Sequence, residues 1–156
     1  MTAAGHPAHP GLPRLSITRD GEWRHEGETI THARILDDLW TRLQMDAAGY
    51  YLLVGSLRVP VEVEDAPFVV VRVELDQDPA GVVLSDGSRE PLALDTLRLG
   101  PGEVPYCRVK GGRFEARLGR AAAWQLLQAM ETDETTGEAA LLLRGRRHII
   151  PRVASG

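Results

Sequence analysis

Two adjacent carboxylates, Glu64 and Asp65, have the residue type and spacing that acid–base chemistry requires. A hydrolase would use such a pair as acid and base, with their pKa values pushed apart. Neighbours on a strand point to opposite faces, however, so the two carboxylates should not share one substrate atom. An Asx turn at Asp65 or an ion pair with an arginine therefore comes ahead of ligand binding, and catalysis comes last.

Arg117 and Arg120 are the best candidates for holding an anion, because they flank the predicted start of a helix. Free N–H groups and the helix dipole favour negative charge there, and Gly119 lets a phosphate approach the backbone. An internal ion pair with the acidic segment explains the two arginines equally well. No nucleotide fingerprint accompanies them, since Gly100-Pro101-Gly102 lacks the helix that such motifs need.

Aromatic residues and the single cysteine give weaker signals. Trp23, beside a predicted turn, could stack on a base, and Tyr106 offers its hydroxyl either to a ligand or to a buried partner. Cys107 either gains a lowered pKa from the neighbouring Arg108 or is a buried strand residue, which the alternation favours. His25, His32 and His148 have no partner at metal-ligand spacing, and nothing near His6 and His9 would complete a metal shell, so we expect neither a metal site nor a cofactor.

Composition narrows the class of protein. A chain of 156 residues with 43% apolar residues can bury a core, as one domain or as two small lobes. No apolar run approaches the ~18 residues of a membrane span, and the N-terminus lacks the form of a signal peptide. The net charge of −4 argues against DNA or RNA binding. We therefore expect a cytoplasmic protein without a membrane partner, and leave a protein partner open.

Two halves of the chain share one order of predicted elements: a hairpin, a helix, a glycine, a strand, a turn and a strand. The first helix is predicted over residues 32–44 with Thr31 as its N-cap, and the second over residues 120–131 with Gly119 as its N-cap. The pattern predicts an α+β fold made by internal duplication. Each lobe is then a small, mainly antiparallel sheet with one packed helix.

The predicted domain boundaries follow from this order. Residues 1–13, rich in proline, glycine and alanine, are predicted to form a disordered leader. The N-terminal lobe is predicted over residues 14–80 and the C-terminal lobe over residues 81–153.

Several motifs occur together in a characteristic order. They are Trp23 and Gly27 in the first hairpin, Gly49-Tyr50, Val63-Glu64-Asp65-Ala66-Pro67-Phe68, Pro105-Tyr106, and a helix that opens with Arg120. Over about residues 15–130 the chain resembles a bacterial family known only as a domain of unknown function. The V-E-D-A-P-F block is the specific part of this resemblance. The chain departs from the family at Val54-Gly55-Ser56-Leu57, where Thr-Pro-x-Glu is usual, and at Ser85-Asp86, where Thr-Asn is usual.

The resemblance implies a duplicated α+β fold whose C-terminal half is superficially like pleckstrin-homology domains. It also implies a ligand site at the interface of the halves that accepts a nucleotide-based molecule in signalling, and it implies no catalytic activity. The candidate ligand-binding residues are then Trp23, Glu64, Asp65, Phe68, Tyr106, Arg117 and Arg120.

The leading hypothesis for function is thus a non-enzymatic module that binds a small anionic, nucleotide-like ligand between its lobes. The alternative is a scaffold or protein-interaction module whose arginines are structural, and a hydrolase using Glu64 or Asp65 is a distant third. We further predict that Glu64 or Asp65 contacts Arg117 or Arg120, or that both groups flank one cleft. In the second case Trp23 or Tyr106 lies on the wall of that cleft.

Overall fold

The computed structural model of the chain describes residues 12–154, so the predicted leader lies outside the described residues except for its last two positions. The chain forms two compact units, which meet in sequence between Asp65 and Ala66. Each unit contains one α-helix and its own set of buried apolar side chains.

The first unit is a six-stranded mixed sheet with one helix. Its elements are β1 (Leu15–Ile17), β2 (Trp23–His25), β3 (Glu28–Thr29), α1 (Ala33–Arg42), β4 (Leu43–Asp46), β5 (Gly49–Val54) and β6 (Leu57–Val63). The strands lie in the order β3-β2-β1-β6-β5-β4. All neighbouring strands are antiparallel except β1 and β6, which are parallel.

Alternation of apolar and polar residues gives this sheet one buried face. In β6, Val59 and Val61 are buried, whereas Arg58 and Glu62 are exposed, as the period of two predicts. The Asp20-Gly21 turn between β1 and β2 is also confirmed, and the Gly21 N–H donates to the carbonyl of Thr18.

Helix α1 is shorter than the predicted helix over residues 32–44. It ends at Arg42 because Leu43 is extended, with φ −68° and ψ 129°, and pairs with Leu52 as the first residue of β4. The N-cap is His32 rather than Thr31, and no side chain caps the helix. No residue of α1 is buried. The helix meets the sheet at Trp40, whose ring lies edge-on to Trp23 at a centroid distance of 5.3 Å.

The second unit holds a six-stranded sheet, a three-stranded sheet and one helix. Its strands before the helix are β7 (Phe68–Glu74), β8 (Gly81–Leu84), β9 (Arg89–Pro91), β10 (Arg98–Leu99), β11 (Pro105–Val109) and β12 (Phe114–Leu118). The helix α2 (Arg120–Gln128) is followed by β13 (Met130–Thr132), β14 (Ala139–Leu143) and β15 (Arg146–Ile150). The larger sheet has the order β10-β11-β12-β7-β8-β9, and β12 is parallel to β7.

The boundary between the units differs from the predicted boundary between residues 80 and 81. Strand β7 belongs to the second unit because it pairs with β8 on one side and with β12 on the other. A strand goes with the sheet that supplies its hydrogen bonds, and the local sequence of β7 does not specify that partner.

The α+β fold with two similar lobes is confirmed. Each unit has a helix followed by three antiparallel strands, α1-β4-β5-β6 in the first and α2-β13-β14-β15 in the second. The copies differ in what the last strand joins. In the first unit β6 pairs with β1, so the three strands after the helix are part of that unit's six-stranded sheet. In the second unit the three strands form a separate sheet, and the chain after β15 meets β10 at a single parallel bridge, Leu99 with Arg152.

Candidate functional site

In the first unit, Trp23 is a core residue of the sheet. Its side chain is 1% exposed, and its Nε1 is a buried donor with no acceptor among residues 12–154. Burial of the ring between the sheet and Trp40 leaves no open face for a stacked base. Trp23 therefore shapes the first unit from within.

Glu64 and Asp65 follow the end of β6 and are both exposed. The Glu64 carboxylate accepts a hydrogen bond from the Arg19 backbone N–H at 2.9 Å, and the Glu64 N–H donates to the carbonyl of Ile17 at 3.0 Å. Through these two hydrogen bonds Glu64 joins the turn between β1 and β2 to the end of β6, so its role is structural.

In the second unit, Tyr106 and Arg117 lie side by side on neighbouring strands. They are register partners of β11 and β12, and an Arg117 Nη1 lies 3.5 Å from the Tyr106 hydroxyl. Arg98 is the register partner of Tyr106 on β10, and its guanidinium lies 5.5 Å from the centre of the Tyr106 ring. We call Arg98, Tyr106 and Arg117 the arginine row.

A second row next to the arginine row consists of Arg108 and Glu115, which are also register partners. Residues two apart on a strand point to the same side, so both rows share one face of the sheet. The Glu115 carboxylate pairs with Arg98 through one oxygen and with Arg108 through the other. Sequence reasoning did not select Arg98, Arg108 or Glu115, although their alternation with buried residues was a usable signal.

Phe68 lies on the opposite face of this sheet from Tyr106 and Arg117. Its register partner is Ala116, whereas the partner of Arg117 is Val69. The Phe68 ring is buried against Phe114, with centroids 5.3 Å apart, so it is a packing residue of the second unit.

Lys110 brings together the turns at the ends of two hairpins. Its Nζ lies over the Phe68 ring at 5.4 Å and donates to Asp86 Oδ2 at 2.7 Å and to Ser88 Oγ at 2.8 Å. Partial burial acts to raise the pKa of Asp86, but hydrogen bonds from Lys110 and Ser88 outweigh it, so the pKa lies below its ordinary value. At position 86, where the family that the chain resembles usually has Asn, this chain therefore has an Asp that forms an internal ion pair with Lys110.

Helix α2 begins directly beside β7. The N–H of its N-cap, Gly119, donates to the Val70 carbonyl at 2.9 Å, and a Cβ at this glycine would lie 3.1 Å from a Val69 methyl. Arg120, the first helical residue, is exposed and has no ion-pair partner among residues 12–154. Gly119 is thus required by the close approach of helix and strand, whether or not an anion binds.

Cys107 is a buried strand residue, as the alternation predicts. Burial, with smaller effects from Glu90 and Glu115, raises the pKa of its thiol to about 12, and Arg98 opposes this only in part. Among residues 12–154 no group of three His, Cys, Asp or Glu side chains is arranged to hold a metal ion. Within the same residues, no helix combines the length and apolar character needed to span a membrane.

A groove of about 530 Å³ runs beside the turn that joins β11 and β12. It is lined by Glu90, Pro91, Leu92, Ala93, Asp95, Thr96, Arg108, Gly111 and Gly112. Both carboxylate oxygens of Glu90 accept from the Lys110 backbone N–H, at 3.2 and 3.0 Å. None of the seven predicted site residues lines this groove.

Of the predicted site residues, the structure brings Tyr106 and Arg117 together and places Phe68 on the other face of their sheet. The predicted pairing of Glu64 or Asp65 with Arg117 or Arg120 joins residues of different units, and it stays a prediction.

Comparison with known proteins gives one family and two solved structures. Residues 3–66 match the N-terminal domain model of the domain of unknown function DUF1285. A DUF1285 family protein from Silicibacter pomeroyi DSS-3 is 22% identical with a TM-score of 0.70, covering 96% of this chain and 84% of that chain. Another from Shewanella baltica OS155 is 23% identical with a TM-score of 0.62, covering 75% of this chain and 92% of that chain.

These identities establish likeness of fold alone, and no curated protein matches the chain. The expected resemblance to a family of unknown function is confirmed, and that family is DUF1285.

Proposed function

We propose that this chain is a non-enzymatic module that binds a small anionic ligand, of nucleotide-like chemistry, in a signalling role. The observation that supports the proposal is the arginine row, in which Arg98 and Arg117 flank Tyr106 on one face of the second unit. The nucleotide-like and signalling parts of the proposal follow from the family resemblance.

Guanidinium groups suit this task because their planar N–H donors match the oxygens of a phosphate or carboxylate. The two rows carry three arginines and one carboxylate, so this sheet face has an excess of positive charge in a chain whose net charge is −4. The Tyr106 side chain is only 5% exposed, so it orients the two guanidiniums instead of stacking on a ligand. Arg120 adds an exposed guanidinium at the start of α2.

Two observations support the non-enzymatic part of the proposal. The Glu64 carboxylate already accepts a backbone N–H, which favours its structural role over that of a general base. The Cys107 thiol, with its pKa raised to about 12, stays protonated at neutral pH and is a poor nucleophile.

Thermal unfolding in the presence of a nucleotide panel tests this proposal. A ligand that binds only the folded chain at 100 times its Kd stabilises it by about 2.7 kcal/mol. For a domain of this size that corresponds to a rise of about 5–10 °C in Tm. We expect one or more panel members, mono- or dinucleotides, to give such a shift.

Variants locate the binding site. We expect Arg98→Gln and Arg120→Ala each to reduce the shift, while Arg146→Ala, an exposed arginine on β15 far in sequence from both, leaves it unchanged. A shift that survives Arg98→Gln and Arg120→Ala would place the ligand elsewhere. No shift with any member at millimolar concentration would reject the proposal.

A second candidate function, a protein-interaction module, is favoured by one feature of the first unit. No residue of α1 is buried, and Ile35, on the apolar side of the helix, is 49% exposed. A helix normally buries its apolar side, so an exposed apolar side can mark a surface that binds another protein. Failure of the nucleotide screen would turn attention to this helix.

A further inference from the structure

Strand β15 is an edge of the three-stranded sheet, since it pairs with β14 on one side only. The hairpin between these strands turns over residues 144–145, both with positive φ, so Leu143 and Arg146 flank a two-residue turn as a hydrogen-bonded pair. Such pairs alternate along an antiparallel ladder. The backbone N–H and C=O groups of Arg147 and Ile149 therefore point away from β14, towards the outer edge.

The chain beyond β15 shows the same alternation. The Pro151 carbonyl and the Val153 N–H both bond to Leu99 of β10 on this outer side, at 2.9 Å each. Pro151 has no N–H, so the pairing with β10 stops there. Within residues 12–154, nothing bonds to the outward backbone groups of Arg147 and Ile149, and both residues are exposed. These donors and acceptors thus lie open in one row.

The first unit closes the equivalent edge. Its hairpin between β5 and β6 turns over residues 55–56, so Pro60 of β6 stands at the same distance from the turn as Ile149 of β15. Pro60 has no N–H to donate, and the next residues, Val61–Val63, pair with β1. A proline and a covering strand are two ways in which sheets protect an edge. Strand β15 has neither at Arg147 and Ile149, so this stretch can accept a strand.

We propose that β15 binds an extended acidic segment of another protein, which adds to its outer edge as a further strand. Main-chain hydrogen bonds give such an interaction its affinity, and alternate side chains give it specificity. Arg146 is exposed and has no ion-pair partner among residues 12–154, so it favours an acidic residue on the added strand. Ile149 lies on the other face of β15 and is 49% exposed, so it favours an apolar one. The segment that fits alternates acidic and apolar residues.

Charge favours this partner over a second copy of the chain. Residues 144–152 contain four arginines and no acidic residue. Arg144, Arg147 and Arg152 pair with acids of their own unit. A second β15 would bring another Arg146 to the edge and no acid for either copy, and like charges on neighbouring strands destabilise a sheet. The added strand concerns β15 only and does not depend on ligand binding at the arginine row.

Fluorescence anisotropy of a labelled peptide, titrated with the full chain, tests the proposal. The probe is the capped peptide Thr-Glu-Val-Glu-Val-Glu-Thr, which in either direction can set glutamates on the Arg146 face and valines on the Ile149 face. We expect saturable binding at micromolar to millimolar concentration of the chain. The matched peptide Thr-Lys-Val-Lys-Val-Lys-Thr should bind at least about tenfold more weakly, because its charges repel Arg146.

Variants of the chain locate the peptide. Arg146→Glu should weaken binding of the glutamate peptide at least about tenfold and make the lysine peptide the better ligand. Arg89→Glu, the same change at an exposed position of the edge strand β9, should leave the binding of both peptides unchanged and serves as the control. Ile149→Pro removes an outward N–H but no bond to β14, and it should abolish binding while circular dichroism shows a folded chain.

Hydrogen exchange followed by NMR tests the backbone pairing directly, also if Ile149→Pro does not fold. The glutamate peptide should slow exchange of the Arg147 and Ile149 N–H groups, whereas the His148 N–H, which already faces β14, should not change. Absence of binding at millimolar concentration overturns the proposal, as does binding that survives Arg146→Glu. Binding without protection of Arg147 and Ile149 would mean a purely electrostatic contact and would overturn strand addition. Self-association of the chain through β15 would assign the edge to a second copy instead.

Discussion

At the scale of single residues, Lys110 illustrates how a side chain that suggests ligand chemistry can be explained by internal contacts. It is the only lysine of the chain, and its Nζ bonds both Asp86 and Ser88 while its backbone N–H bonds Glu90. Three side chains of the β8–β9 hairpin are thereby held by one residue of the turn after β11. The Asp86 carboxylate is half-buried, so it depends on this lysine for its charge to be tolerated.

We predict that Lys110→Met lowers the free energy of unfolding by about 1–3 kcal/mol at pH 7, because the methionine leaves the Asp86 charge half-buried without its cation. The folded pKa of Asp86 is depressed, so its contribution is present above the unfolded pKa and is lost as the pH falls through the folded pKa. Urea denaturation should therefore show a smaller difference between variant and wild type well below the ordinary aspartate pKa of about 4.

Arg113→Met is the matched control for this change, because Arg113 belongs to the same turn and is exposed. Its substitution should cost less than about 0.5 kcal/mol at either pH. A Lys110→Met effect that is the same at both pH values would show that packing of the lysine stem, and not the Asp86 charge, is responsible.

At the scale of elements, sequence predicts what local patterns encode. The Asp20-Gly21 hairpin and the alternation of β6 follow from turn chemistry and from a period of two, and both are confirmed. Strand β4 was missed because Leu43 continues the apolar period of α1, and its pairing with Leu52 is not specified by the local sequence. Sequence analysis places Tyr106 and Arg117 in one candidate site, but it does not predict their direct contact, because that depends on the register of two strands, which neither residue specifies alone.

The junction of β12, β7 and α2 gives the prediction at this scale. We expect Gly119→Ala to destabilise the chain by about 1–3 kcal/mol, because the new Cβ would lie 3.1 Å from a Val69 methyl and 3.4 Å from the Val70 carbonyl oxygen. The backbone itself tolerates alanine, since φ at this position is −68°. The loss is thus steric, and thermal unfolding monitored by circular dichroism measures it.

Gly81→Ala provides a comparison within the same unit. Its Cβ would have its nearest contact at 3.5 Å, an ordinary van der Waals distance, so this change should alter stability far less. Equal effects at Gly81 and Gly119 would indicate a general cost of removing glycine and would count against the tight junction.

At the scale of the whole molecule, the two units share a sequence of elements but differ in how they bury them. In the second unit α2 contributes Ala122 and Leu126 to the core, and β14 is buried at Ala139, Ala140 and Leu141. In the first unit α1 contributes no buried residue, so its core is built by the strands alone. The same pattern of helix and three strands therefore stabilises the two units to different extents.

We predict from this difference that residues 66–156 fold without the first unit. The sheets of the second unit draw all their strands from β7 to β15, and its core includes the fully buried Leu118, Leu126, Leu141 and Ile150. A fragment of this length is above the size at which small domains need disulfides or metals. Residues 1–65, whose helix contributes no buried residue, should be much less stable as a fragment. Urea denaturation of both fragments checks this. Residues 66–156 should unfold in one cooperative transition, with a dependence of the unfolding free energy on urea that scales with the size of the fragment. Residues 1–65 should unfold at a lower urea concentration or show no folded baseline. A fragment 66–156 that lacks a cooperative transition would mean that its core depends on the first unit, and the division between Asp65 and Ala66 would then be one of topology and not of stability.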